Sequence, residues 1–292
     1  MCLSHPHEDH GKSLVDILAT STRVGQFWHS VSGIQAWVYS LEDTPIYPSH
    51  IRQVAEDYMR GSGDFLRELY GNVAKSNLHT RLLHSGLAPI DVGSCRIHVL
   101  APEEAVINSF QRAYQRISEG NRKHIPDPNL LSCVLAIEYG KGVVILGSDA
   151  LTNNWRSAIG KFKALKLGKS CLLKVPHHGA SNAFDLQAND SATYLGICER
   201  ESLAVLFAGD TLHPDERVEN RIKKKLKLHC LVNGARQKST GQANNPLNIK
   251  IPGAKIARAR ILPCQSEISV EISEDGEAKV TRGMECSSCQ AG

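Results

Sequence analysis

With 292 residues, 41% of them hydrophobic and 22% charged, the chain has an ordinary soluble-globular composition and is long enough for one large or two small domains. No apolar run reaches the ~18 residues of a membrane helix and the N-terminus is polar, so neither a membrane segment nor a secretory leader is expected. The net charge of +4 suits an anionic substrate better than a cationic one, and nine cysteines without framework spacing read as thiols in a reducing cytoplasm.

The chain opens on Leu3-Ser4-His5-Pro6-His7-Glu8-Asp9-His10-Gly11, a dense set of metal-ligand residue types. Imidazole and carboxylate together suit zinc, manganese or iron. Spacing this short predicts a tight loop, because histidines at i and i+2 diverge on a helix. A surface histidine cluster is the bland alternative. The acid at the fourth position and the Gly-led amphipathic segment behind it argue for a metal loop. Leu14, Ile17 and Leu18 then recur at helical spacing over 12–20. Residues 27–29 and 34–39 read as short apolar elements, Pro45 and Pro48 mark a loop, and 51–70 looks like a helix broken at Gly61-Ser62-Gly63. A strand over 95–100 stops at Ala101-Pro102, a helix covers 103–116, and 119–129 is a polar loop.

From residue 131 the pattern turns α/β. Segments 131–139 and 143–146 flank Gly140-Lys141-Gly142 as a β-hairpin. A helix over 154–164, buried strands over 171–175 and 203–208, a basic helix over 214–226 and short strands at 261–262 and 268–272 complete the pattern. The stretch 281–292 reads as a disordered tail, and its lone Cys286-Ser287-Ser288-Cys289 is too small for a four-ligand zinc site.

Three strand ends carry polar residues. The first is Gly147-Ser148-Asp149, whose carboxylate is either a helix cap or a metal ligand. The second is Lys174-Val175-Pro176-His177-His178-Gly179-Ala180-Ser181. Its adjacent histidines point in different directions, one suited to a metal and the other to a bound oxyanion, and without such roles both would need partners in a core. The third runs from Gly209 to His213-Pro214, where Pro is also a plain helix-start signal. His79, His84 and His98 sit in no motif and read as ordinary. Lys161, Lys163, Lys166 and Lys169, and Arg221, Lys223, Lys224, Lys225 and Lys227, are either solvated helix faces or phosphate contacts.

The opening H-x-H-x-D-H motif resembles the signature of the metallo-β-lactamase-fold hydrolases. Lys174 to Ser181, with Asn129 and Ser132 before the hairpin, is similar to the branch holding the metallo-hydrolase domain of the DNA-uptake channel ComEC and the phosphorylcholine esterases. The resemblance implies an α/β protein, an αββα four-layer sandwich spanning 1–280, with 27–116 unmatched and readable as an insertion. It implies His5 and His7 on one metal, Asp9 and His10 on a second, and Asp149 bridging both. His177, His178 and His213 would be further ligands or substrate contacts, and Asp9, His177 and His178 would carry catalysis.

Two divalent ions, zinc or manganese, are the implied cofactors. The implied activity is hydrolysis of a phosphodiester, in DNA, RNA or a nucleotide, by a metal-bound hydroxide. Hydrolysis of another ester, lactam or thioester, and a catalytically inactive metal- or nucleic-acid-binding module, stand as alternatives. Too few residues precede His5 for a usual strand of about 5–6 residues. The sequence therefore reads as an N-terminally truncated member whose exposed sheet edge a partner or second copy would cover.

Overall fold

Apolar strands alternating with amphipathic helices make this an α/β protein, with five α-helices and three β-sheets among the described residues. The computed structural model describes residues 1–20, 23–31, 63–118, 126–208, 213–232, 248–250 and 269–282. They fall into two units, Met1–Leu87 with Ala101–Cys133, and Ala88–Leu100 with Val134–Gly292.

The first unit contains β1 (Cys2–Leu3), α1 (Glu8–Ala19), β2 (Gln26–His29), α2 (Gly63–Lys75), β3 (His79–Leu82) and α3 (Glu104–Ser118). Its sheet has the order β1-β2-β3 and is parallel throughout, with Leu3 opposite His29 and Phe27 opposite Thr80. Leu3, Phe27 and Val31 pack against Val15 of α1, Leu66, Leu69 and Tyr70 of α2, and Ile107 and Phe110 of α3.

Helix α1 begins at Glu8, four residues before its expected start. Glu8 and Asp9 occupy its first turn, where carboxylates complement the positive end of the helix. The opening motif is therefore half loop and half helix: His5 and His7 precede α1, and Asp9 and His10 lie on it. Gly11 permits the close approach of α1 to α2, because a Cβ there would fall 2.1 Å from Phe65 Cε2. Helix α3 matches its expectation. Of the broken helix expected over 51–70, the part from Gly63 is one helix that runs on to Lys75. Residues 34–39, Pro45, Pro48, 51–62, 119–125 and 261–262 lie outside the described residues.

The second unit is organised on a seven-stranded sheet. Its strands are β4 (Ile90–Val92), β5 (Cys95–Ala101), β6 (Val134–Tyr139), β7 (Gly142–Leu146), β8 (Ser170–Lys174), β9 (Cys198–Ala208) and β10 (Lys227–Val232). Their order is β10-β9-β8-β7-β6-β5-β4. Strands β6 and β7 form the expected hairpin, with Gly140 supplying a left-handed residue at φ +55°. From β7 to β10 the sheet is parallel, with Leu146 opposite Lys174 and Lys174 opposite Val205. The crossovers are α4 (Thr152–Ala164) and α5 (Glu216–Lys223).

Near-continuous apolar runs in β7 and β8 follow from burial on both faces of such a sheet. One face carries Val144, Leu172 and Val205 against Val270 and Ile272 of β12 (Ser269–Ile272), which pairs with β11 (Asn248–Lys250) and β13 (Ala278–Arg282). Strand β13 runs two residues into the stretch expected as tail; residues 283–292 lie outside the description.

Helix α5 is shorter than expected and starts after Pro214. Asp215 caps it, accepting from the Arg217 amide at 2.9 Å, and the Arg217 guanidinium helps hold the Asp215 carboxyl down at about 2. Among the described residues no helix is long and apolar enough to cross a membrane.

Candidate metal centre

In the first unit the opening motif gathers its imidazoles. His5 is fully buried, and its Nε2 lies 3.0 Å from His7 Nδ1. The His5 ring sits 4.6 Å from that of His7 and 4.2 Å from that of His10, centroid to centroid. His10 Nε2 is 3.5 Å from Asp9 Oδ2. The three imidazoles thus cluster around His5, with the Asp9 carboxylate beside His10. Ser4 supports them from behind, with its Oγ 3.1 Å from His10 Nδ1 and 3.4 Å from His5 Nδ1.

In the second unit the chemistry collects at the carboxyl ends of adjacent parallel strands, the usual ligand-binding edge of an open α/β sheet. After β7 the chain turns through Ser148, at φ +46°, into Asp149, which is buried. Asp149 does not cap α4. The cap residue there is Leu151, whose amide is met by Asn154 Oδ1 at 3.2 Å.

After β8 the chain makes a left-handed turn through His177, His178 and Gly179, at φ +44°, +53° and +76°. Two successive non-glycine residues in this region store strain on the order of 1–3 kcal/mol each, a cost typical of sites where geometry serves function. The turn is tied to the Asp149 loop by the His177 amide, which donates to Ser148 O at 3.0 Å.

Both histidines aim Nε2 at Asp149 Oδ2, from 4.0 Å for His177 and 3.9 Å for His178. His178 Nδ1 lies 3.0 Å from Phe207 O on β9. A carbonyl only accepts, so this contact places a proton on His178 Nδ1, and the neutral ring then offers its Nε2 lone pair. The His213 ring lies 5.9 Å from that of His177, and its buried Nδ1 has no hydrogen-bond partner among the described residues. Gly209, expected in the same element, lies outside them.

Two residues were not singled out from the sequence. Lys174 ends β8 with Nζ 4.0 Å from Asp149 Oδ1, placing a cation beside the buried carboxylate. Ser4 is the other. Four residues of the basic runs bond within their own unit. Lys169 and Lys225 donate to the carbonyls of Gly196 and Leu195. Arg221 binds Asp190 at 2.8 Å and the carbonyls of Leu186 and Ala188, and Lys223 pairs with Glu219. His98 pairs with Glu138 at 3.1 Å, and His84 accepts from the Gly86 amide.

Asp9 and His10 in the first unit, and Asp149 and His178 in the second, are residue types with the chemistry to hold a metal ion. No family model matches the chain, and no curated protein matches it.

Proposed function

We propose that this protein is a metal-dependent hydrolase of anionic esters, phosphodiesters foremost, on a four-layer sandwich of the metallo-β-lactamase type. The observation that carries the reading is the ring geometry of the opening motif. His5 Nε2 and His7 Nδ1 stand 3.0 Å apart, near the ~3.3 Å edge between two nitrogens on a tetrahedral zinc with Zn–N about 2.0–2.1 Å. One ring nitrogen donates to the other across that gap, and a cation held by the pair would displace the shared proton.

The reading assigns His5 and His7 to one ion and Asp9 and His10 to a second. Asp149 and His178 are the second unit's ligands, with His177 and His213 beside them. Divalent ions held there, zinc or manganese, would supply Lewis acidity and a water acidic enough to ionise near neutral pH.

The chain's own residues do the rest. The Asp9 carboxylate orients the attacking water. His177 donates to the oxygen on which negative charge develops. Lys174, whose ammonium stands 4.0 Å from Asp149 Oδ1, favours a negatively charged substrate. The left-handed turn holds His177 and His178 in position before substrate arrives, so their ordering does not have to be met during the reaction. We assign the reaction to a reducing cytoplasm on cysteine content alone.

Hydrolysis of bis-p-nitrophenyl phosphate and of plasmid DNA, with Mn²⁺ or Zn²⁺, tests the reading. Asp9→Ala and Asp149→Ala should each lower the rate by on the order of 10²-fold or more. A wild-type protein that binds the ions and cleaves neither phosphodiester refutes the substrate class. Turnover of a lactam or thioester would move the assignment to that chemistry, and metal binding without hydrolysis would make the protein a binding module.

A further inference from the structure

Ser4 precedes the first histidine of the motif, and its side chain touches two of the three rings. Its Oγ is 3.1 Å from His10 Nδ1 and 3.4 Å from His5 Nδ1, while its backbone carbonyl accepts the Cys133 amide at 2.8 Å. The backbone bond anchors the residue to the segment that leads into β6. The hydroxyl is thereby held against both imidazoles from the side opposite Nε2.

A histidine that ligates through Nε2 must carry its remaining proton on Nδ1, and that proton needs an acceptor to fix the tautomer and the ring plane. A serine oxygen has two lone pairs and one proton. It can accept from two imidazole N–H groups at once and still donate its own hydrogen elsewhere. No other arrangement lets one hydroxyl satisfy both rings as Nε2 ligands, since donating to either Nδ1 would force the metal-binding nitrogen of that ring to be protonated. In the second unit the Phe207 carbonyl performs the same service for His178 alone.

We propose that Ser4 is a shared positioning residue for the metal centre, its Oγ accepting the Nδ1–H of both His5 and His10. The proposal rests on the metal-centre reading above. It adds that the two ligand pairs are coupled, because His5 belongs to one pair and His10 to the other. Loss of the hydroxyl removes the oxygen that fixes the Nδ1–H tautomer of both rings. Both ions are then held less tightly, the His10 ion more so, because its contact is the shorter one.

Zinc affinity of the full chain is measured by competition with a chromophoric chelator, for wild type, Ser4→Ala and Ser4→Thr. Imidazole ¹⁵N shifts of the zinc-loaded wild type report the tautomers. The expected result is a 10- to 100-fold loss of affinity in Ser4→Ala, recovery in Ser4→Thr, an unchanged melting curve for the metal-free Ser4→Ala protein, and Nδ1–H tautomers at His5 and His10. Equal affinity in Ser4→Ala and wild type overturns the proposal while leaving the metal centre standing, and so does an Nδ1-ligated His10 in the ¹⁵N spectrum. A wild type that takes up no zinc overturns both.

Discussion

Acid should weaken the platform beneath the histidine-rich opening motif through one histidine outside that motif. His29 is 6% exposed, stacked on Phe27 with ring centroids 5.5 Å apart, and set at the edge of Tyr70. Its Nδ1 lies 3.0 Å from Val31 O, a contact that opposes deprotonation, yet burial prevails and pushes the group down from 6.5 to about 4. Above pH 6.5 neither the folded nor the unfolded chain protonates this ring, so it costs nothing. As pH falls from 6.5 to 4 the unfolded chain takes up a proton that the folded one refuses. Stability drops by about 1.4 kcal/mol per pH unit over that window and by about 3 kcal/mol in all, then levels off below it.

Strand β2 carries His29 and pairs with β1, Leu3 lying opposite His29, so the loss reaches the segment that enters the motif. Urea unfolding of wild type and His29→Gln at intervals between pH 7 and pH 4 isolates the term, because every other titrating group is common to both. The difference in unfolding free energy, wild type minus variant, should decline by about 3 kcal/mol across the window. A difference that stays flat from pH 7 to pH 4 refutes the reasoning.

Two glycines give further outcomes. Gly179→Ala forces a side chain onto φ +76° and places its Cβ 2.8 Å from Pro214 Cβ. The expected loss is on the order of 2–4 kcal/mol, read by chemical unfolding, with a matching loss of metal affinity because the turn aims His178. A change within experimental error would remove the turn from the account of the site. Gly11→Ala sets the better helix propensity of alanine, worth up to about 1 kcal/mol, against a Cβ placed 2.1 Å from the buried Phe65 ring. Overpacking of about 1–3 kcal/mol should win, and Phe65→Leu should recover part of it, so a double-mutant cycle on these two positions should give a clear coupling energy.

How far the sequence foretold this site depends on which contacts set each residue. Strands β7, β8 and the apolar half of β9 were legible because a parallel strand covered on both faces must be apolar at nearly every position, and the polar residue that ends such a run is conspicuous. Asp149 and His177-His178 were found that way. Strand β10 escaped because it is the edge of its sheet, and its Lys227 and His229 continue a basic run that reads as helix. The start of α1 escaped because polar residues of the opening motif occupy its first turn, and Asp9 and His10 carry no apolar period.

The ring orientations escaped for a deeper reason. His178 is oriented by a carbonyl 29 positions away, and no residue type advertises its backbone oxygen. Ser4 is adjacent to its partner His5 in sequence, yet its role depends on which way two rings turn, and a serine before a histidine has many other fates. Pattern therefore locates the donors, because donors end apolar runs, whereas the protonation state that makes a donor a ligand is decided by non-local acceptors. The same distinction says where a damaging substitution can hide: replacing Ser4 removes no candidate ligand, yet on this reasoning it weakens two.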